Sequence, residues 1–486
     1  MLTACLNFVS LKNYDIIYIL ELGEGNLDNS TLLVGLDIGT TSIKVVVADA
    51  AHQELQVYGA VAAPTRGMRH GKIVDIDQVA ESVKNAIQQV SEKTNSKINR
   101  VVTALPVSML QLESTTGLVN ISDSGKEVAN EDVQRVMYAA IKAAKKKDRQ
   151  AVAFFPSRFL IDGEKDVDDP RTMIARSLLV QGLVMTAPSA EIHNINTVLK
   201  HADIQNNFFV PAPMAVSSVA LDEAERTFGA ILLDMGGGST TATVIRDGQI
   251  KYATVDLKGA ADITHDISVV LSTTMSDAEA LKRDYGYADP DLASENEKFA
   301  VKAVGKDENN LVSEKYLSEI INARLQQILR RVGRGLYNHD ALSLPAGVII
   351  TGGSALLAGI DDLVAADYDV KAKIYQSAQI GLRNPVYSVA YGIVNYANNL
   401  NDIGYLANTV IYQDSALASN ERPASAGNSQ KNAKRVTRKA ENDTELAYNK
   451  TKLDGEVDTE TRHEEKTNNN ENKNKGLAAF LRKFFD

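Results

Sequence analysis

Two segments of the chain carry the same chemistry. Asp37-Ile38-Gly39-Thr40-Thr41 and Asp234-Met235-Gly236-Gly237-Gly238-Ser239-Thr240 each close an apolar run with an aspartate, glycines and hydroxyl side chains. Glycines let the main chain approach an anion closely, so successive N–H groups can cradle phosphate oxygens. Thr40, Thr41, Ser239 and Thr240 add hydroxyl donors at the same places. Asp37 and Asp234 repel a phosphate directly, but they suit a hydrated Mg²⁺, which prefers carboxylate and water oxygens. Both are therefore expected to hold the metal through water. Lys44 lies a short way beyond Asp37 and can reach back to the phosphates. Taken alone, Asp-x-Gly-Thr reads better as a tight β-hairpin. A second copy, and a third Gly-rich turn at Thr351-Gly352-Gly353-Ser354, reverse that reading.

Elements must bring these loops together. From Thr31 to about Tyr412 the sequence alternates β-rich runs with helical patterns, as α/β folds do. Two similar phosphate loops so far apart imply two similar domains facing one cleft. A length of 486 residues leaves room for about three domains.

Composition excludes several classes. Lys plus Arg is 52 against 62 Asp plus Glu, a net charge of −10, which argues against nucleic acid held by phosphate neutralisation. Cys5 is the only cysteine, so neither a disulfide framework nor a cysteine-built zinc site can form. The seven histidines contain no His-Glu-x-x-His pair. No run reaches the ~20 apolar residues that span a bilayer. The nearest, from Leu6 to Leu22, is interrupted by Lys12, Asp15 and Glu21 and lacks a basic leader. A reducing cytoplasm is the simplest home. Residues 1–30 read as an N-terminal extension. Purine-rich codons for Gly23-Glu24-Gly25 could serve as a ribosome-binding site, which makes Leu27 the expected translation start.

The loops resemble those of the actin, sugar kinase and heat-shock ATPase superfamily, and the resemblance covers most of residues 31–400. It implies ATP and Mg²⁺ as ligands and an actin-like two-domain ATPase fold. By the same resemblance, Gly352, Gly353 and Ser354 belong to the adenosine motif, and Asn384 to Gly392 to a helix that hinges the two domains. Glu279 and Lys282 match a pair that contacts ribose and adenine. Their i, i+3 spacing sets them on one helix face, where a solvated surface salt bridge is the competing reading.

A finer resemblance is to the FtsA family, bacterial division proteins that tether the FtsZ ring to the membrane. It rests on Arg66-Gly67-Met68 followed by Gly71, on GAADITHDI from Gly259 to Ile267, and on SDAEALKRDYG from Ser276 to Gly286. It implies a domain 1A from 31–97, 177–207 and 385–412, and an inserted small α+β domain, 1C, at 98–176. Domain 2A would comprise 208–260 and 340–384, and subdomain 2B 261–339. The first strand of 1C is expected at Val101 to Leu105. Where hydrolytic relatives carry a glutamate that orients water, this chain has Ala212 within Pro211-Ala212-Pro213. The resemblance therefore implies nucleotide binding with weak or no hydrolysis. It also implies that 2B docks the C-terminal peptide of FtsZ. Arg324, Arg330 and Arg331 could meet such an acidic peptide, and an ordinary basic helix face is the alternative.

The tail changes character. Residues 413–475 hold one aromatic residue and many Asn, Lys, Glu and Thr, too little apolar surface to offset chain entropy, and read as a disordered linker. In 476–486 the residues Leu477, Phe480, Leu481, Phe484 and Phe485 repeat at i, i+3, i+4, i+7, i+8, with Arg482 and Lys483 on or beside the other face. That is the pattern of an amphipathic membrane-surface helix, and it matches the FtsA targeting helix. The expected function is an ATP-binding, actin-like cell division protein that polymerises on anionic membrane lipid, with 1C meeting 2B of the next copy. It would tether the Z-ring and recruit later division proteins, as a peripheral protein on the cytoplasmic side at the mid-cell septum. A small-molecule kinase and a PilM-like pilus scaffold are the alternatives on the same fold.

Overall fold

A computed structural model describes residues 32–50, 55–305 and 309–420, with side chains to residue 412. The first sheet begins with β1 (Leu32–Ile38), β2 (Ser42–Asp49) and β3 (Gln56–Pro64), an antiparallel meander. A two-strand hairpin follows, β4 (Met68–Arg69) and β5 (Lys72–Ile73), and then α1 (Ile76–Thr94), whose N-terminus is capped by the Asp75 carboxylate accepting from the Gln78 N–H. Next comes β6 (Arg100–Leu105), which lies parallel to β1.

An insertion then builds its own sheet. It comprises β7 (Gln111–Asn120), β8 (Lys126–Glu127), α2 (Asn130–Ala143), β9 (Arg149–Ile161), β10 (Lys165–Val167), β11 (Ile174–Ala175) and β12 (Ser177–Pro188). Four of these strands lie in the order β10-β9-β12-β7, with α2 packed against the sheet. Two strands fall outside their expected places. β6, expected to open the insertion, is hydrogen-bonded into the first sheet. Its nearly uninterrupted burial is what a central parallel strand requires. β12, expected in 1A, pairs along its length with β7 and β9.

After α3 (Ser189–His201), β13 (Gln205–Pro211) completes the first sheet in the order β13-β6-β1-β2-β3. Two helices, α4 (Ala212–Ala220) and α5 (Glu223–Phe228), lead to the second lobe. There β14 (Ala230–Met235), β15 (Thr240–Arg246) and β16 (Gln249–Asp256) repeat the antiparallel meander. They are followed by α6 (Ala260–Leu271), α7 (Met275–Tyr285), the hairpin of β17 (Lys298–Lys302) and β18 (Asn309–Ser313), and α8 (Glu314–Tyr337). Then β19 (Val348–Thr351), α9 (Ile360–Tyr368) and β20 (Ala372–Ile374) close a sheet ordered β16-β15-β14-β19-β20. Strand for strand this is the first sheet again, with β19 and β20 parallel to β14 as β6 and β13 are to β1. The two Gly-rich segments are the matching hairpin turns.

Finally α10 (Ser388–Asn398) packs on α4 and β1, and α11 (Asp402–Asn420) turns to the insertion. Ile403, Leu406, Ala407, Val410 and Ile411 join the insertion's apolar core, and Arg171 reaches Asp402 at 3.0 Å. Helix therefore continues past residue 413, where composition placed the start of the linker. The apolar stripe from 403 to 411 anchors it, and an average over the polar stretch that follows hides it. The rest of the expected linker, the terminal helix and the N-terminal extension with Leu27 lie outside the described residues.

Candidate nucleotide site

The two hairpin turns face each other across a cavity of about 360 Å³, within the usual range for small-molecule sites. Asp37, Gly39, Thr40, Thr41, Lys44, Asp234, Gly236, Gly237, Gly238, Ser239, Glu279, Lys282, Gly352, Gly353 and Ser354 all line it. Thr240 does not. Side chains alternate along a strand, so Thr240 turns away and donates to the Lys258 carbonyl at 3.0 Å, while Thr241 faces the cavity. Thr240 is thus a buried structural hydroxyl rather than the phosphate donor expected of it.

The carboxylates sit at equivalent registers, Asp37 opposite Lys44 and Asp234 opposite Thr241. Lys44 Nζ pairs with Asp37 Oδ2 at 3.2 Å. Asp234 has no cation opposite it in its own hairpin. Burial first, and then the Asp37 charge, push its carboxyl up to about 6, with Lys44 offsetting part of the rise. Two carboxylates against one ammonium form a site that a divalent cation would complete. Among the described residues no three His, Cys, Asp or Glu side chains gather to cage a metal. The donor set therefore fits an ion held largely by water and phosphate. The Thr351 hydroxyl, beside Asp234 in the β14–β19 register, is buried without a hydrogen-bond partner.

The loop tips touch. A β-carbon on Gly238 would stand 2.5 Å from the Thr40 hydroxyl oxygen, and one on Gly237 closer still to that of Thr41. Glycine is required there by packing between the lobes. The Gly71 N–H donates to Thr40 Oγ1 at 2.9 Å, so the β4–β5 turn also belongs to the site. The Arg-Gly-Met…Gly pattern marked this turn in the sequence but carried no role.

Glu279 and Lys282 project from α7 to the cavity wall. Lys282 Nζ meets the Ala260 carbonyl at 3.1 Å, Thr264 Oγ1 at 2.7 Å and Glu279 Oε2 at 2.7 Å. All three ammonium donors are used. Burial lowers the Lys282 pKa, and the Glu279 charge opposes that. With its side chain 8% exposed, Lys282 does not form a solvated surface bridge but fixes Glu279, which stays half exposed. On the opposite side Ala104, Pro106, Val107, Ala212 and Val216 form an apolar wall. Among the described residues, the acidic side chains lining the cavity are Asp37, Asp234 and Glu279.

The expected peptide-binding arginines separate. Arg324 is buried and forms a two-pronged ion pair with Asp266, Nε to Oδ2 at 2.5 Å and Nη2 to Oδ1 at 2.8 Å. It falls on the buried stripe of α8 that also holds Leu317, Ile320, Ile321, Leu325, Ile328 and Leu329. It is a structural ion pair and cannot greet a peptide. Arg324→Ala would strand Asp266 in the core and should cost about 3–5 kcal/mol of stability, read from a urea unfolding midpoint. Arg330 and Arg331 are exposed, with Arg331 3.6 Å from Asp256. No described helix is long and apolar enough to cross a membrane. Leu477, Phe480, Leu481, Arg482, Lys483, Phe484 and Phe485 lie outside the described residues.

Comparison with known proteins agrees with this architecture. A family model described as cell division protein FtsA matches residues 231–392, and one for the SHS2 domain inserted in FtsA matches residues 107–186. The second span runs from just after β6 almost to the end of β12. Cell division protein FtsA of Enterococcus faecalis is 42% identical over 380 residues, covering 78% of this chain and 86% of that protein. The FtsA protein of Bacillus subtilis is 32% identical, with 76% and 84% covered. A solved PilM-PilN type IV pilus biogenesis complex shares the fold at a TM-score of 0.53 and 16% identity, covering 76% of this chain and 99% of that one. Duplicated actin-like sheets, an SHS2 insertion after β6 and relatives matched over most of their length lead to one conclusion: the chain belongs to the FtsA family of cell division proteins.

Proposed function

We propose that this protein binds ATP with Mg²⁺ between its two phosphate loops, self-associates on the membrane, and tethers the FtsZ ring there through its C-terminal helix. The observation that carries the reading is the convergence of Asp37, Lys44 and Asp234 with both glycine turns on one cavity. When bound, Mg²⁺ would neutralise phosphate charge, with Asp37 and Asp234 accepting from its water ligands. Lys44 would hold Asp37 in place. Glu279, fixed by Lys282, would accept from nucleoside hydroxyls beside Gly352 and Gly353. The apolar wall around Ala212 supplies no base for an attacking water, which supports slow hydrolysis.

Division into 1A, 1C, 2A and 2B, contact of 1C with 2B of the next copy, and recruitment of later division proteins at the mid-cell septum belong to the same proposal. For the FtsZ peptide, Arg330 and Arg331 remain as exposed cations on α8. The test is recruitment of FtsZ to anionic liposomes. Full-length protein should carry FtsZ into the pellet, and a chain ending at residue 475 should not. Equal FtsZ sedimentation with both chains would contradict the tether.

A further inference from the structure

Asp234 lies near the end of β14 between two neighbouring strands, with Thr241 opposite it on β15 and Thr351 on β19. Thr351 closes a fully buried strand and lines the cavity. Its hydroxyl is buried and has no hydrogen-bond partner. The Asp234 carboxylate has the complementary lack. Burial, Asp37 and Lys44 act on it, and no hydrogen bond is among those influences. A β-carbon on Gly352 would stand 2.5 Å from Asp234 Oδ1, so that oxygen lies against the turn that follows Thr351. A donor without an acceptor therefore adjoins an acceptor without a donor, a pairing that buried polar groups rarely forgo.

The first lobe treats its aspartate differently. Lys44, opposite Asp37 on β2, pairs with Oδ2 at 3.2 Å. The counterpart of Lys44 in the second lobe is Thr241, which is only partly buried. On β6, the counterpart of β19, Thr103 pairs with Leu36, so the place of Thr351 falls to Ala104, which has nothing to donate. Each lobe thus sets one largely buried donor beside its aspartate, an ammonium on β2 in the first and a hydroxyl on β19 in the second.

We propose that Thr351 is a positioning residue of the metal site, whose hydroxyl donates to the Asp234 carboxylate and holds one of its oxygens so that the other accepts from a metal-bound water. This rests on the reading of the cavity as an MgATP site. The hydroxyl is too well covered to touch a ligand itself, so it acts through its neighbour. A hydroxyl bonded to a carboxylate makes a short, charge-assisted bond, which fixes the direction of the acceptor. Being neutral, Thr351 also leaves the charge balance of the cleft alone. A second ammonium in its place would cancel the attraction of Asp37 and Asp234 for a divalent cation.

The experiment is titration of the full-length protein with fluorescent ATP, in millimolar Mg²⁺ and in EDTA, beside urea unfolding of the nucleotide-free protein. Thr351→Val keeps the shape of the side chain and removes the donor. It should weaken ATP about tenfold in Mg²⁺ and by less than about twofold in EDTA, the loss expected when the partner that orients a metal-site carboxylate is removed. Its urea midpoint should be no lower than that of the wild type, because the hydroxyl it lacks has no partner in the fold. Thr351→Ser keeps the donor and should recover most of the MgATP affinity. Unchanged MgATP affinity in Thr351→Val, an equal loss in both conditions, a lowered urea midpoint, or no recovery in Thr351→Ser overturns this role and leaves the nucleotide site standing. Wild-type protein that binds ATP equally in Mg²⁺ and in EDTA overturns the metal-bridged site, and this role with it.

Discussion

Asp234→Asn should cost between about ten- and a hundredfold in MgATP affinity and, at the same time, stabilise the protein in the absence of nucleotide. The first effect follows from removing one of two carboxylates that would flank the water shell of the proposed metal. The second follows from the sign of the Asp234 shift. Its carboxyl sits at about 6 in the folded chain against 3.8 for an ordinary aspartate. Folding thus favours the protonated form. That contribution is fully present below about pH 4 and is lost as pH rises through 6, so above pH 7 the charged side chain is a net cost. The neutral amide removes this cost. After allowance for water in the cleft, the gain should be about 1–2 kcal/mol at pH 7.5 and should vanish toward pH 4. Urea unfolding at the two pH values reads the stability, and nucleotide titration reads the affinity. Unchanged affinity would remove Asp234 from the metal site.

Phe480→Glu should release the protein from anionic liposomes while leaving ATP binding intact. Five apolar side chains in 476–486, each worth ~1.5–3 kcal/mol on full burial, set an upper bound of about 15 kcal/mol. Forming a helix over eleven residues and inserting it incompletely would remove most of that, so on the proposed reading one tail would bind weakly and reversibly. Arg482 and Lys483 add ~1 kcal/mol each near anionic lipid. A carboxylate at the centre of the stripe removes one anchor and adds repulsion, enough to cancel the remainder. Assembly through the actin-like body would multiply tails and restore binding to the wild type but not to the variant. A variant that still sediments as wild type does would exclude the tail as the anchor.

The duplicated architecture was legible because each phosphate loop advertises the strand before it and the strand after it. An apolar run, Asp and then Gly dictates a hairpin, and both segments are hairpin turns whose tips line one cavity. What escaped was long-range pairing. β6 and β12 are both apolar strands beside the insertion, and only their partners decide which sheet each joins. Periodicity was present for Arg324, which keeps step with Leu317, Ile321 and Ile328, but its charge drew the reading outward. Thr240 and Thr241 differ only in strand phase, which the sequence leaves open by one residue. His70 carried no signal by itself. Its contact with the Gly238 carbonyl comes from the reach of a hairpin whose tip meets a loop far along the chain.

The measurement that bears most directly on the account is equilibrium titration of the full-length wild-type protein with ATP, once in millimolar Mg²⁺ and once in EDTA. One ATP per chain, bound in Mg²⁺ and at least tenfold more weakly in EDTA, is the predicted result. No binding, or binding of equal strength in both conditions, would contradict a metal-bridged nucleotide between Asp37 and Asp234.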